Sequence, residues 1–118
     1  MSGRAKAFGD WGEDQACAFL QRHGFFIKER NFFSTVGEID IIAKKDGDYY
    51  FIEVKTRMIG DLATDLAITE FKKKKIKKTI KKYCYQRQIT EASLMLAGLL
   101  VTCDSFDKKI SFRLVVFL

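Results

Sequence analysis

Apolar positions along this chain follow two rhythms. From about Ala5 to His23 they recur at helical spacing, with Trp11, Ala16, Phe19, Leu20 and His23 near one face, and Gly24 placed to end the helix. Gly9 and Gly12 weaken its first turns. Phe25 to Phe33, dense in aromatic and β-branched residues, predicts a strand, and Ser34 to Gly37 a turn. Glu38 to Lys45 alternates as a strand, Asp46-Gly47 is a strong hairpin signal, and Asp48 to Arg57 is the returning strand. Met58 to Ile68 reads as a loop with a short helical piece. Thr69 then caps a helix from Glu70 to about Arg87, in which Ile76, Ile80, Tyr83 and Cys84 recur every three or four residues and the lysines take the other side. Leu94 to Cys103 and Ile110 to Leu118 predict two more strands, joined around Asp104 to Lys109. The order is helix, three strands, helix, two strands. With neither repeat nor linker, residues 1–118 read as one α/β domain.

The hairpin fixes what its charges can do. If Lys45 faces Asp48 across the two-residue turn, stepping back along both strands sets Asp40 opposite Glu53 and Glu38 opposite Lys55. All four then project from one face, and Ile39, Ile41, Ile52 and Val54 bury the other. Opposed β-carbons lie about 5 Å apart, so the two carboxylates repel unless a cation sits between them. Oxygen donors without histidine or cysteine suit Mg²⁺ or Mn²⁺. Lys55, about 7 Å further along the face, is placed to orient a water and to stabilise charge on a phosphate. The alternative is a solvated face of weak ion pairs. Arg57 continues this face, as a phosphate contact or a plain strand-end salt bridge. His23 suits the negative end of its helix better than a catalytic role, and Trp11 and Phe8 read as core.

Charge strengthens the first reading. Lys and Arg number 21 against 15 Asp and Glu, a net +6. Nine of the basic residues (Lys72, Lys73, Lys74, Lys75, Lys77, Lys78, Lys81, Lys82, Arg87) lie between Phe71 and Thr90, where there is no acid; the remainder carries 12 basic and 15 acidic residues, a net −3. A basic helix on a mildly acidic body predicts a polyanionic partner, nucleic acid first and an anionic membrane surface second. The membrane reading is the weaker, because the helix's apolar side is needed for the core.

Composition narrows the class further. With 118 residues, 47% hydrophobic and 31% charged, the chain can bury a core without staples. Proline is absent, which excludes polyproline chemistry. The first fourteen residues hold no apolar stretch for a signal peptide, and the longest greasy run, Ala92 to Val101, is half the ~20 residues a membrane span needs. Cys17, Cys84 and Cys103 have neither zinc spacing nor a disulfide pattern, so a cytoplasmic protein with reduced thiols is expected. The greasy final strand, Ile110 to Leu118, either lies inside the sheet or pairs with a second copy in a homodimer.

Gly37-Glu38-Ile39-Asp40-Ile41-Ile42-Ala43 and Phe51-Ile52-Glu53-Val54-Lys55-Thr56-Arg57 together resemble the YraN-like uncharacterised protein family, related in fold to Holliday-junction resolvases and restriction endonucleases. The resemblance extends to Gly12-Glu13, Gly24, Arg30-Asn31 and Lys72. It implies a mixed sheet of about five strands flanked by helices. It also implies that Asp40 and Glu53 are metal-binding carboxylates, Lys55 the catalytic lysine, Glu13 a helix-borne glutamate brought to the metal, and Lys72 a lysine near the site. The sequence departs from that family where an Arg-Phe-Asp stretch commonly opens the fourth strand; here stands Leu96-Ala97-Gly98-Leu99-Leu100. The expectation is a Mg²⁺- or Mn²⁺-dependent nuclease acting on structured or single-stranded DNA, held by Lys72, Lys73, Lys74, Lys75, Lys77, Lys78 and Arg57. The alternative is a non-catalytic nucleic-acid-binding module of the same fold, acting through partners in DNA repair or recombination.

Overall fold

A computed structural model describes residues 3–61, 69–90 and 92–117. Helix α1 (Gly3–Arg22) leads into strands β1 (Phe26–Ser34), β2 (Gly37–Lys45) and β3 (Asp48–Met58); helix α2 (Glu70–Gln86) follows, then β4 (Leu94–Asp104) and β5 (Lys109–Val116). The five strands form one mixed sheet in the order β1-β2-β3-β4-β5, antiparallel except where β3 runs parallel to β4. A parallel neighbour needs a long crossover, and α2 lies in it. The α/β class and the mixed five-stranded sheet agree with the expectation. Beyond Asp61, the predicted loop to Ile68 lies outside the described residues.

Local signals set the element ends. Gly24, at φ 85°, takes the left-handed conformation that closes α1, and the Phe25 N–H donates back to the Leu20 carbonyl at 3.0 Å. Asp46 and Gly47 both have positive φ, as a two-residue hairpin turn of the favoured twist requires. Thr69 caps α2, its Oγ1 accepting from the Lys72 N–H at 3.1 Å.

The helices cover opposite faces of the sheet. Ala16 and Leu20 of α1 pack on Phe25, Ile41, Ala43, Ile52, Ala97, Leu99 and Val101; Ile76, Ile80 and Tyr83 of α2 pack on Phe32, Ile39, Ile42, Tyr49, Phe51 and Leu96. The apolar side of α2 is thus buried against the sheet. Strand β5 pairs only with β4, so the greasy final strand is an edge strand. No helix among the described residues is long and apolar enough to cross a membrane.

Strand β1 carries a bulge between Ile27 and Glu29, and the sheet departs from simple alternation again a few residues further on. Ile39 packs under α2 and Ile41 under α1, although two residues apart they should share a face. On β1, Arg30 reaches α1 while Phe32 packs edge-on against Tyr83 of α2, and Asn31 between them sits at φ 54°. The ladder pairs Arg30 with Ile41 and Phe32 with Ile39 but leaves out Asn31 and Asp40. Both strands therefore change face at the same step. The expected common face of Ile39 and Ile41 is corrected by this fault in the pleat.

Candidate functional site

The β2–β3 register is the one the turn dictates, from Lys45↔Asp48 up to Ile41↔Ile52, and there the ladder stops. The expected Asp40–Glu53 pair does not form as a ladder pair, because Asp40 has turned out of the pleat. Its Oδ2 instead accepts the Val54 N–H of β3 at 2.8 Å. Among the described residues no ion pair joins Glu38 to Lys55, the other pairing expected beyond this point. Where the strands part, two clefts open, one beside each helix, and Asp40 and Glu38 border both.

The cleft beside α1, about 810 Å³, is lined by Lys6, Phe8, Glu13, Asn31, Lys55 and Thr56 among others. A close approach of α1 to β3 builds it: a methyl group on Gly12 would stand 2.7 Å from Thr56 Cγ2 and 2.8 Å from Thr56 Cβ. With no side chain at Gly12 the helix lies directly on the strand, and Glu13 is carried to the acids on β2. Trp11 packs against the core, with Phe8 stacked on it at 5.8 Å. The second cleft, about 410 Å³, lies between α2 and the Ser34–Gly37 turn, and Glu53, Lys72 and Lys75 line it.

The acids are held under electrostatic tension. Burial pushes Asp40 up to about 7 from an ordinary 3.8; the Val54 N–H opposes that shift, while Glu53, Glu13 and Glu38 add to it. Burial also raises Glu13, against the pull of Arg30. Basic side chains flank both glutamates: Lys72 Nζ lies 3.3 Å from Glu53 Oε2, and Arg30 Nη2 lies 3.5 Å from Glu13 Oε1. Arg30 aims its shorter bond, 2.9 Å, at Asp14, which leaves the buried Glu13 Oε1 without a hydrogen bond.

Among the described residues no three of His, Cys, Asp and Glu stand close enough to share a metal ion. The donors nevertheless suit a hard divalent cation. They are all carboxylate oxygens, one is buried with no hydrogen bond and only the 3.5 Å ion pair to Arg30, and Asp40 is disfavoured as an anion until positive charge arrives. Asp40 borders the α2-side cleft with Glu53 and the α1-side cleft with Glu13, so Asp40 and Glu53 are the residues that could hold such an ion.

The lysine run divides around α2. Lys72 and Lys75 face the cleft; Lys73 meets Glu70 at 3.4 Å and lies over the Phe117 ring; Lys82 donates to Thr35 Oγ1 at 3.0 Å. Lys74, Lys77, Lys78 and Lys81 are exposed and border neither cleft. Of the six lysines expected to contact nucleic acid, Lys72 and Lys75 border the cleft and the other four lie elsewhere around the helix. Arg57 borders neither cleft; its Nε donates to Thr102 Oγ1 on β4 at 3.1 Å. His23 bonds the Phe19 carbonyl through Nδ1 at the far end of α1. Cys17, Cys84 and Cys103 are free thiols.

Sequence reasoning missed Arg30 as the partner of Glu13, Asn31 as the site of the pleat fault, and Phe33 with the turn after it as a cleft wall. The available signal was Asn31, since asparagine is among the few non-glycine residues that readily take positive φ.

Residues 12–108 match the family described as uncharacterised protein family UPF0102. Among similar proteins, one from Helicobacter pylori is 47% identical over 107 residues, 91% of both chains. One from Campylobacter hominis is 51% identical over 81 residues, covering 69% of this chain and 71% of the relative. One from Helicobacter hepaticus is 47% identical over 93 residues, 78% of this chain and 80% of the relative. Each bears the same family label and no stated activity.

Proposed function

The chain belongs to the uncharacterised family UPF0102, the YraN-like family that its GEID and FIEVKTR segments resemble, and for this member we propose a cytoplasmic, Mg²⁺- or Mn²⁺-dependent nuclease of restriction-endonuclease-like fold that hydrolyses phosphodiester bonds in DNA. The observation that carries the reading is Asp40: a carboxylate forced out of its ladder at the mouth of two clefts, with Glu53, Glu13 and Glu38 close enough to raise its proton affinity. Such a concentration of acid beside exposed lysines has no use in packing.

Asp40 and Glu53 would hold the cation, and Glu13 adds negative charge from the cleft on the other side of Asp40. When bound, the cation supplies positive charge that polarises the phosphate and makes a nearby water more acidic. Lys55, on the wall of the α1-side cleft, orients the attacking water and offsets charge growing on the phosphate. Lys72 leaves Glu53 and turns to the nucleic-acid backbone, and Lys75 holds the next phosphate. These contacts position the strand and read no sequence. The test is cleavage of labelled DNA of varied structure with Mg²⁺ or Mn²⁺. Asp40→Ala and Glu53→Ala should each abolish it; cleavage that survives both changes refutes the assignment.

One observation favours a second reading, a non-catalytic nucleic-acid-binding module. Lys72 and Arg30 already offset Glu53 and Glu13 without any metal. Salt-sensitive binding that ignores Mn²⁺, with no cleavage of any substrate, decides for it.

A further inference from the structure

We propose that the cleft beside α2 is a nucleotide pocket, so that the substrate is DNA whose strand is unpaired next to the scissile phosphate; this rests on the phosphodiester reading above. The cleft, about 410 Å³, falls within the roughly 300–1,000 Å³ of pockets that enclose small organic ligands. It is also graded. Asp40 and Glu53 stand in its lining, Lys72 and Lys75 come from α2 one turn apart, and Phe33 comes from β1.

Phe33 is the exposed aromatic that lines this cleft. Its neighbour Phe32 is buried against Tyr83, whereas Phe33 is 77% exposed on an edge strand. A bare aromatic ring beside two ammonium groups is the combination that binds single strands, with the cations tracking the phosphates and the ring stacking on a base. A base held in a duplex must first be unstacked to lie between a helix and a turn, which costs a few kcal/mol.

The hydroxyls around the pocket are already engaged. Ser34 Oγ donates to the Gly37 carbonyl at 3.1 Å, Thr79 Oγ1 donates to the Lys75 carbonyl at 2.9 Å, and Thr35 Oγ1 accepts from Lys82 at 3.0 Å. With these hydroxyls engaged and the charged groups left to phosphates and cation, the pocket grips the flat face of a base and reads its edge weakly. Tolerance of base identity follows.

The test is fluorescence anisotropy in EDTA, comparing a labelled oligothymidine, a chain of abasic units of equal length and charge, and a blunt duplex. The wild type should bind oligothymidine most tightly. Phe33→Ala should weaken that binding by at least about fivefold, the lower end of stacking by one base, to the level of the abasic chain, and leave the duplex unchanged. Phe26→Ala, also exposed (65%) but at the opposite end of β1, should change nothing. The pocket is overturned if the duplex binds as tightly as the single strand, if Phe33→Ala weakens both alike or neither, or if none of the three binds. The two claims fail separately. Phe33-dependent binding without cleavage removes the nuclease and keeps the pocket, whereas cleavage indifferent to Phe33 does the reverse.

Discussion

Asp40→Asn tests the electrostatics of the site most directly. The unfolded chain ionises Asp40 near 3.8 and the folded protein near 7. Below 3.8 both states hold the proton and folding loses nothing. Between the two values the unfolded state releases a proton that the folded state keeps, so stability falls as pH rises; above 7 the loss is complete. About three units at ~1.4 kcal/mol each give about 4 kcal/mol, which partial solvent access reduces to about 2–3 kcal/mol. Asparagine keeps an oxygen for the Val54 N–H but carries no charge to bury. From pH 5 to pH 8 about two of those three units are crossed, so in EDTA thermal unfolding followed by circular dichroism should show Asp40→Asn gaining on the wild type by about 5–8 °C over that range, at about 4 °C per kcal/mol for a chain of this size. Glu13 is raised by burial too, so the difference between the two proteins, not the wild-type curve alone, isolates Asp40. Saturating Mn²⁺ should restore the wild type at pH 8 and leave the variant where it was. Parallel curves for the two proteins, or a variant less stable at pH 8, would refute the claim that Asp40 is a buried acid waiting for a cation.

Three further outcomes follow from the same geometry. Lys72→Gln should tighten Mn²⁺ binding by calorimetry, since its ammonium occupies Glu53, and should flatten the log–log salt dependence of single-strand binding by about 0.7, one lost phosphate contact. Gly12→Ala should cost about 1–3 kcal/mol in urea unfolding and weaken Mn²⁺ binding, because the new methyl lifts α1 and Glu13 off β3; adding Thr56→Ala, which removes the colliding Cγ2 and Oγ1, should recover part of both losses. Thr69→Ala should cost about 1 kcal/mol through loss of the α2 cap, read as a lower urea midpoint with an unchanged slope.

Whatever depends on neighbours in the chain was determined by the sequence alone. The Asp46-Gly47 turn sets the β2–β3 register, Gly24 ends α1, Thr69 starts α2, and alternating apolar residues announce the strands. Each is a choice among backbone conformations within a few residues, and composition decides it. The tertiary structure decided the rest. Asp40 and Asn31 look like ordinary strand residues until β1 and β2 must offer Ile41 to one helix and Ile39 to the other, and the pleat breaks where those demands meet. Glu13 reaches the acids only because α1 can lie flat against Thr56, and Arg57 is drawn to Thr102 on a strand 45 residues further along the chain. The lysines share a stretch of chain, but α2 turns about 100° per residue, so one side of the helix meets the cleft and the rest meets water. Registers and caps are short-range and survive reading in one dimension. Which charges converge depends on how the helices seat on the sheet, a property of the packed core that no local pattern encodes.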